Sequence, residues 1–146
     1  MEKQFDVFEV IESKDTLHIR FSSYLEYIDE ACNTVTKFLT STQEGLAPHM
    51  FAINLVMREG LINAIRHGNR NDPGKIVDIQ LKIDRPKTIL LEILDQGEGF
   101  DWKAQQTAEL PGEEDHGRGI HIIGTYVTRY SYNPKGNLLY LEKTIA

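Results

Sequence analysis

Ten residues near the middle of the chain, Glu59-Gly60-Leu61-Ile62-Asn63-Ala64-Ile65-Arg66-His67-Gly68, restrict its fold more than any other stretch. The run is mostly apolar, yet a glutamate and an asparagine sit four residues apart within it. In a helix, positions i and i+4 share a face, so the carboxylate and the carboxamide emerge side by side. Two such groups on a core-facing helix cost stability unless something satisfies them. The run predicts a central helix carrying a polar site.

The flanking sequence supplies the elements this helix needs. Residues 5–11 and 16–21 read as a β-hairpin turning at Ser13-Lys14-Asp15, with Leu17, Ile19 and Phe21 alternating against polar neighbours. Ser23 and Glu26 have the spacing of a capping box. Leu25, Ile28, Cys32, Val35 and Leu39 then follow the 3–4 spacing of an amphipathic helix, on which Cys32 is a small core residue. Residues 40–47 break the pattern as a loop, and Pro48 suits the first turn of the central helix. That helix is predicted over 48–67, with Gly68 as its C′ residue. Phe51, Ala52, Leu55, Val56, Leu61, Ile62 and Ile65 surround most of it, which predicts extensive burial, and Asn54 and Arg58 share its exposed strip.

Asn69 to Gly74 is dense in turn formers. Val77, Ile79, Leu81 and Ile83 mark a strand with one wet face, and Thr88 to Leu94 reads as a strand buried on both sides. Residues 101–116 show no apolar periodicity, as in a lid or a disordered segment. A short helix over 120–124 precedes two strands, about 126–132 and 137–145, joined by Asn133-Pro134-Lys135-Gly136. Tyr126, Tyr130 and Tyr132 are expected on one face of the first of these. The predicted order is β-β-α-α-β-β-lid-α-β-β in one domain spanning residues 1–146. Its fold class is α+β, a two-layer sandwich of a mixed, mainly antiparallel sheet covered on one face by helices.

Composition narrows the function. A formal net charge of −6 without a Lys/Arg cluster argues against direct nucleic-acid binding. One cysteine cannot form an internal disulfide. No segment reaches the roughly 20 apolar residues of a membrane span, and the charged, strand-like opening residues lack a signal-peptide core. A cytoplasmic protein that does not use a membrane is expected.

Three polar or glycine-rich features then fall in order, the last two separated by the long loop, and each suits part of a Mg²⁺–nucleotide site. Asn63 offers Mg²⁺ a neutral oxygen, and Glu59, one turn earlier, is placed to act as general base. Asp95, at a strand end, can accept a hydrogen bond from an exocyclic amine such as that of adenine. Gly97 and Gly99 allow close approach of backbone to a flat ring. Gly117-Arg118-Gly119 places free N–H groups at a helix start, where phosphate binds, and Arg118 adds a charged clamp.

With these residues in view, the sequence resembles the GHKL ATP-binding fold shared by gyrase B, Hsp90, histidine kinases and MutL. Within it the chain is most similar to bacterial anti-sigma-factor serine/threonine kinases. Glu59-x-x-x-Asn63-Ala64-x-x-His67-Gly68 resembles the N box, Asp95-x-Gly97-x-Gly99-Phe100 the first glycine box, and Gly117-Arg118-Gly119-Ile120 the second. The resemblance implies ATP and Mg²⁺ as cofactors, catalysis by Glu59 and metal binding at Asn63. It also implies nucleotide contacts from Asn63, His67, Asp95, Gly97, Gly99, Phe100, Gly117, Arg118, Gly119 and Ile120, with an ATP lid at about 100–118. The activity it implies is phosphorylation of a STAS-domain anti-sigma-factor antagonist within a partner-switching pathway, with a sigma factor as second partner and a homodimer as the assembly. Two positions depart from the pattern: Asn137 follows Gly136 where the family often has threonine, and His116 stands where a small residue is common. The alternative is an ATP-binding regulatory module that docks a partner without phosphotransfer.

Overall fold

The computed structural model describes residues 6–42, 44–84, 88–99 and 122–145. Six strands form one sheet: β1 (Phe8–Glu12), β2 (Thr16–Ser22), β3 (Ile76–Asp84), β4 (Thr88–Leu94), β5 (Arg129–Tyr132) and β6 (Leu138–Thr144). Their spatial order is β1-β2-β3-β4-β6-β5, and each pairing is antiparallel. The fold is α+β as expected, with no parallel pair in the described sheet. Helices α1 (Tyr27–Thr42) and α2 (Met50–Ile62) lie between β2 and β3 in sequence. Residues 122–126 form a short helix, α3.

Alternation along each strand becomes continuous apolar rows across the sheet. Ile19 pairs with Ile79, Ile79 with Ile93 and Ile93 with Leu139. Leu17, Leu81, Leu91 and Leu141 form a second row in the same way. All eight side chains are buried, and α1 and α2 cover them with Val35, Leu39, Met57 and Leu61, which are fully enclosed. A slip of one residue in any central strand would turn its apolar set to solvent, so this register is strongly specified. Burial also explains Cys32, whose thiol is pushed up to about 11 by loss of solvent.

Several local expectations are corrected. Helix α1 continues through Thr42, and Thr36, Thr40 and Thr42 within it turn their hydroxyls back to carbonyls one turn earlier, which leaves these residues compatible with the helix. Ser23 is no cap: the helix starts at Tyr27, and the Ser23 hydroxyl donates to the Lys75 carbonyl at 2.7 Å. Phe51 is 71 % exposed, so α2 buries one side rather than most of its circumference. Asn54 and Arg58 reach across to α1, accepting from Thr36 and pairing with Asp29 respectively. Strand β4 alternates too, with Ile89, Leu91 and Ile93 buried and Leu94 39 % exposed; among the described residues, helices cover one face of the sheet. Tyr126 lies in α3 against Phe51, ring centroids 6.3 Å apart, instead of on the strand with Tyr130 and Tyr132.

Ile79 sits at the centre of the first row and is wholly buried. Ile79→Ala should lower unfolding free energy by about 2–5 kcal/mol in urea titration, through lost transfer energy and an unfilled cavity. A loss below roughly 1 kcal/mol would show that this row is not the main core.

Candidate functional site

The site begins where α2 changes pitch. The Asn63 N–H is shared between the Glu59 and Gly60 carbonyls, and residues Asn63–Gly68 then form a π-helical turn. The Asn69 N–H closes it on the Ala64 carbonyl, five residues back, at 2.7 Å. Single π turns inside helices are uncommon and gather at functional sites. This one buries Asn63, Ala64, Ile65 and Gly68 together, while Glu59 and His67 are half-buried and Arg66 is exposed. Gly68 is therefore not a left-handed C′ residue; Arg70 and Asn71 take the positive φ values, 53° and 58°.

Asp95 comes to this turn from the end of β4. Its N–H donates to the Asn137 carbonyl at 2.9 Å, extending the β4–β6 ladder by one bond. The side chain is only 8 % exposed, and its Oδ1 accepts from the Gly97 N–H at 2.8 Å. Two glycines make that position possible. A Cβ on Gly68 would fall 2.3 Å from the Asp95 carboxylate, and one on Gly97 would fall 2.0 Å from the Gly68 carbonyl. Gly99, at φ 86°, lies equally close to the Lys135 carbonyl. The sequence predicts close approach of these glycines to a flat ring; here both are already required by close approach to the protein's own backbone.

The groups that meet are Asn63 and Gly60 from the helix, Asp95 from β4, Tyr132 from β5, and Asn137 and Leu139 from the hairpin side. The inner cleft has about 10 Å³, room for one water-sized group. Asn63 is 8 % exposed, and its Nδ2 has no hydrogen-bond partner among the described residues. Burial pushes the Tyr132 phenol well above its ordinary range, with the nearby Asn63 side chain opposing the shift. Asn137 has its carboxamide engaged on both ends, accepting from Asn133 and donating to the Asp95 carbonyl. A broader hollow of about 410 Å³ lies over the face of the sheet that the described helices leave open, lined by His18, Gln80, Lys82 and Tyr140 among others; it gathers none of the candidate site residues.

Burial raises the Asp95 carboxyl from 3.8 to about 6, against opposing pulls from the Gly97 N–H, Lys135 and Lys75. Phe100, Gly117, Arg118, Gly119 and Ile120, with the expected lid at 100–118, lie outside the described residues. Sequence reasoning missed Asn69, which is completely buried and bonded to three segments. It lay in a cluster of turn formers, where nothing distinguished it from Asn71.

Residues 21–143 match the histidine kinase-like ATPase domain, and the chain belongs to that family. An ATPase domain implies ATP binding. The chain is 29 % identical over 140 residues to the anti-sigma F factor of Geobacillus kaustophilus (strain HTA426), covering 91 % of this chain and 94 % of that one. It is 30 % identical over 139 residues to the anti-sigma F factor of Geobacillus sp. (strain WCH70), covering 90 % and 94 %. The anti-sigma F factor of Priestia megaterium is 26 % identical over 137 residues, covering 89 % and 92 %. Among the described residues, no helix is long and apolar enough to cross a membrane.

The raised Asp95 pKa has a consequence for the unliganded protein. The folded state holds this proton to higher pH than the unfolded chain, so stability falls as pH rises from about 4 to about 6. Above that window the ionised carboxylate costs on the order of 2–3 kcal/mol. Asp95→Asn keeps the acceptor for the Gly97 N–H and removes the charge. At pH 7.5 its melting midpoint should exceed wild type by roughly 5 °C, with the gap closing towards pH 4. A variant less stable at pH 7.5, or a gap independent of pH, contradicts this origin of the cost.

Proposed function

We propose that the protein is an ATP-dependent serine/threonine protein kinase and anti-sigma regulatory factor, a single domain over residues 1–146. Its substrate is a STAS-domain anti-sigma-factor antagonist, and a sigma factor is its second partner. The observation that carries the ATP site is one cleft holding a buried carboxylate, Asp95, beside a buried carboxamide, Asn63, whose Nδ2 has no hydrogen-bond partner among the described residues. The adenine amine is a donor suited to Asp95. Asn63 can give its oxygen to Mg²⁺ and its N–H to phosphate, and Mg²⁺ is commonly held by one or two protein ligands with phosphates and water. When bound, the metal neutralises charge developing on the phosphates.

Glu59, half-buried one helical turn from Asn63, is assigned as the general base. Its carboxylate takes the proton of the partner's hydroxyl as that oxygen attacks the γ-phosphorus of ATP. The bond to the β-phosphate oxygen breaks, ADP leaves, and the hydroxyl becomes a phosphate ester. His67, Gly97, Gly99, Phe100, Gly117, Arg118, Gly119 and Ile120 complete the nucleotide contacts in this reading. The relatives' name, anti-sigma F factor, supports the sigma partner. Because that name describes opposition to a factor and not phosphate transfer, it also favours a second reading, a nucleotide-binding module that docks a partner without transfer.

Glu59→Gln separates the two. With γ-labelled ATP and a STAS-domain protein, its transfer rate should fall at least about a hundredfold, while the rise in melting temperature given by Mg·ATP persists. Labelling at the wild-type rate would sink the assignment of Glu59. Absence of label with wild type, alongside normal ATP binding, would favour the docking module. Asn63→Ala should lose most of the Mg·ATP-induced rise.

Affinity should also depend on pH. If the ionised Asp95 takes the adenine amine, ATP affinity weakens by about tenfold per pH unit below about 6. Isothermal titration across pH 5–7.5 in wild type and Asp95→Asn tests this, and a flat wild-type profile would exclude it.

A further inference from the structure

Asn69 is among the most buried polar residues in the molecule, with no exposed surface. Its Nδ2 donates to the Ser23 hydroxyl at 2.7 Å and to the Ile76 carbonyl at 3.1 Å, and its Oδ1 accepts from the Gln96 N–H at 2.7 Å. Three segments distant in sequence are thus held by one carboxamide: the chain after β2, the start of β3 and the loop after β4. The arrangement extends one bond further on each side. The Ser23 hydroxyl passes to the Lys75 carbonyl at 2.7 Å, and the Gln96 Oε1 accepts from the Ile76 N–H at 2.7 Å.

The place of Asn69 in the chain gives this network a direction. Asn69 follows Gly68, and Gln96 lies between Asp95 and Gly97. The Asn69–Gln96 hydrogen bond therefore runs beside the Gly68–Gly97 contact, in which a Cβ on Gly97 would have only 2.0 Å. That contact admits no slack, and Asn69 fixes the gap it depends on. From the opposite side, Asn137 holds Asp95 through a backbone bond at 2.9 Å and a side-chain bond to its carbonyl at 3.2 Å. Between these two holds the Asp95 backbone has little freedom. The residues nearest to asparagine in size or chemistry do not do the same work at position 69. Aspartate lacks both donated hydrogens and adds a buried charge, serine is too short to reach three partners, and glutamine adds a methylene to a filled space.

We propose that Asn69 is a positioning residue for the nucleotide site, setting where Asp95 sits without itself touching nucleotide. The functional half of this inference rests on the ATP reading above; the structural half does not. In the full chain, Asn69→Ala should speed amide exchange at Gln96 by about tenfold or more, while the Asp95 amide stays protected through Asn137. ATP affinity should fall by about tenfold, and affinity for inorganic tripolyphosphate should not change. A residue serving only global stability would lower the melting midpoint and leave both the exchange pattern and the ATP-to-tripolyphosphate ratio at wild-type values. That result would overturn the proposal.

Ser23→Ala removes one acceptor and keeps Asn69. It should move both readouts in the same direction by less, and it decides the matter if Asn69→Ala does not fold. Asp95→Ala distinguishes the two layers. If ATP affinity ignores Asp95→Ala, the nucleotide reading fails, and Gln96 exchange alone then determines whether Asn69 holds the loop.

Discussion

The contact of Gly68 with Gly97, closed around the Asp95 carboxylate, is the constraint on which the candidate site depends. It joins a helix end to a strand end that lie 29 positions apart in the chain, from 68 to 97. Each larger element serves to bring these two points together. The apolar rows of the sheet fix where β4 stops, and the packing of α2 on those rows fixes where the helix arrives. The π turn then lowers Gly68 onto the carboxylate. A side chain at either glycine would push the loop away by more than soft neighbours could absorb, because the atoms it meets are a carbonyl and a carboxylate.

Three buried polar residues near this contact show that burial alone does not mark a ligand-facing group. Asn69 is more enclosed than Asn63, yet all its bonding capacity is directed at the protein. Asn63 retains a donor without a partner among the described residues, and Asp95 is held by one N–H while burial works against its charge. Buried polar groups are nearly always paired, so an incompletely satisfied one needs a reason. A ligand is the economical reason when two such groups share a cleft, since perturbed ionisation concentrates at functional sites.

The sequence made the sheet legible because period-2 alternation survives in β2 and β3 without interference. It misled at β4, where Leu90 and Leu94 are apolar on a face that none of the described helices covers. Apolar content there reflects the strand's central place in the sheet, not burial on both sides. Phe51 misled in the same way: periodicity placed it on a buried helix, and tertiary packing left it outside with Tyr126. At the site, Glu59, Asn63, Asp95 and the two following glycines stand out in the sequence by residue type and interval. The π turn was not visible, because one extra residue per turn leaves no mark on composition. Asn69 was hidden by its own type, since asparagine is expected wherever a chain turns.

The Asp95-x-Gly97-x-Gly99 pattern also acquires a different physical meaning. Read alone, its glycines suggest backbone left open for a ligand. In the fold both are used internally, Gly97 against Gly68 and Gly99 against Lys135. Those two contacts tie the loop after β4 to the helix on one side and to the β5–β6 hairpin on the other. Asp95 lies where the two ties converge, and Asn137 on that hairpin grips its main chain. The motif is first a device for fastening three elements at one carboxylate. In the proposed nucleotide reading, recognition of a ligand amine rests on that fastening, because a buried acceptor selects a donor only when it cannot move to find another.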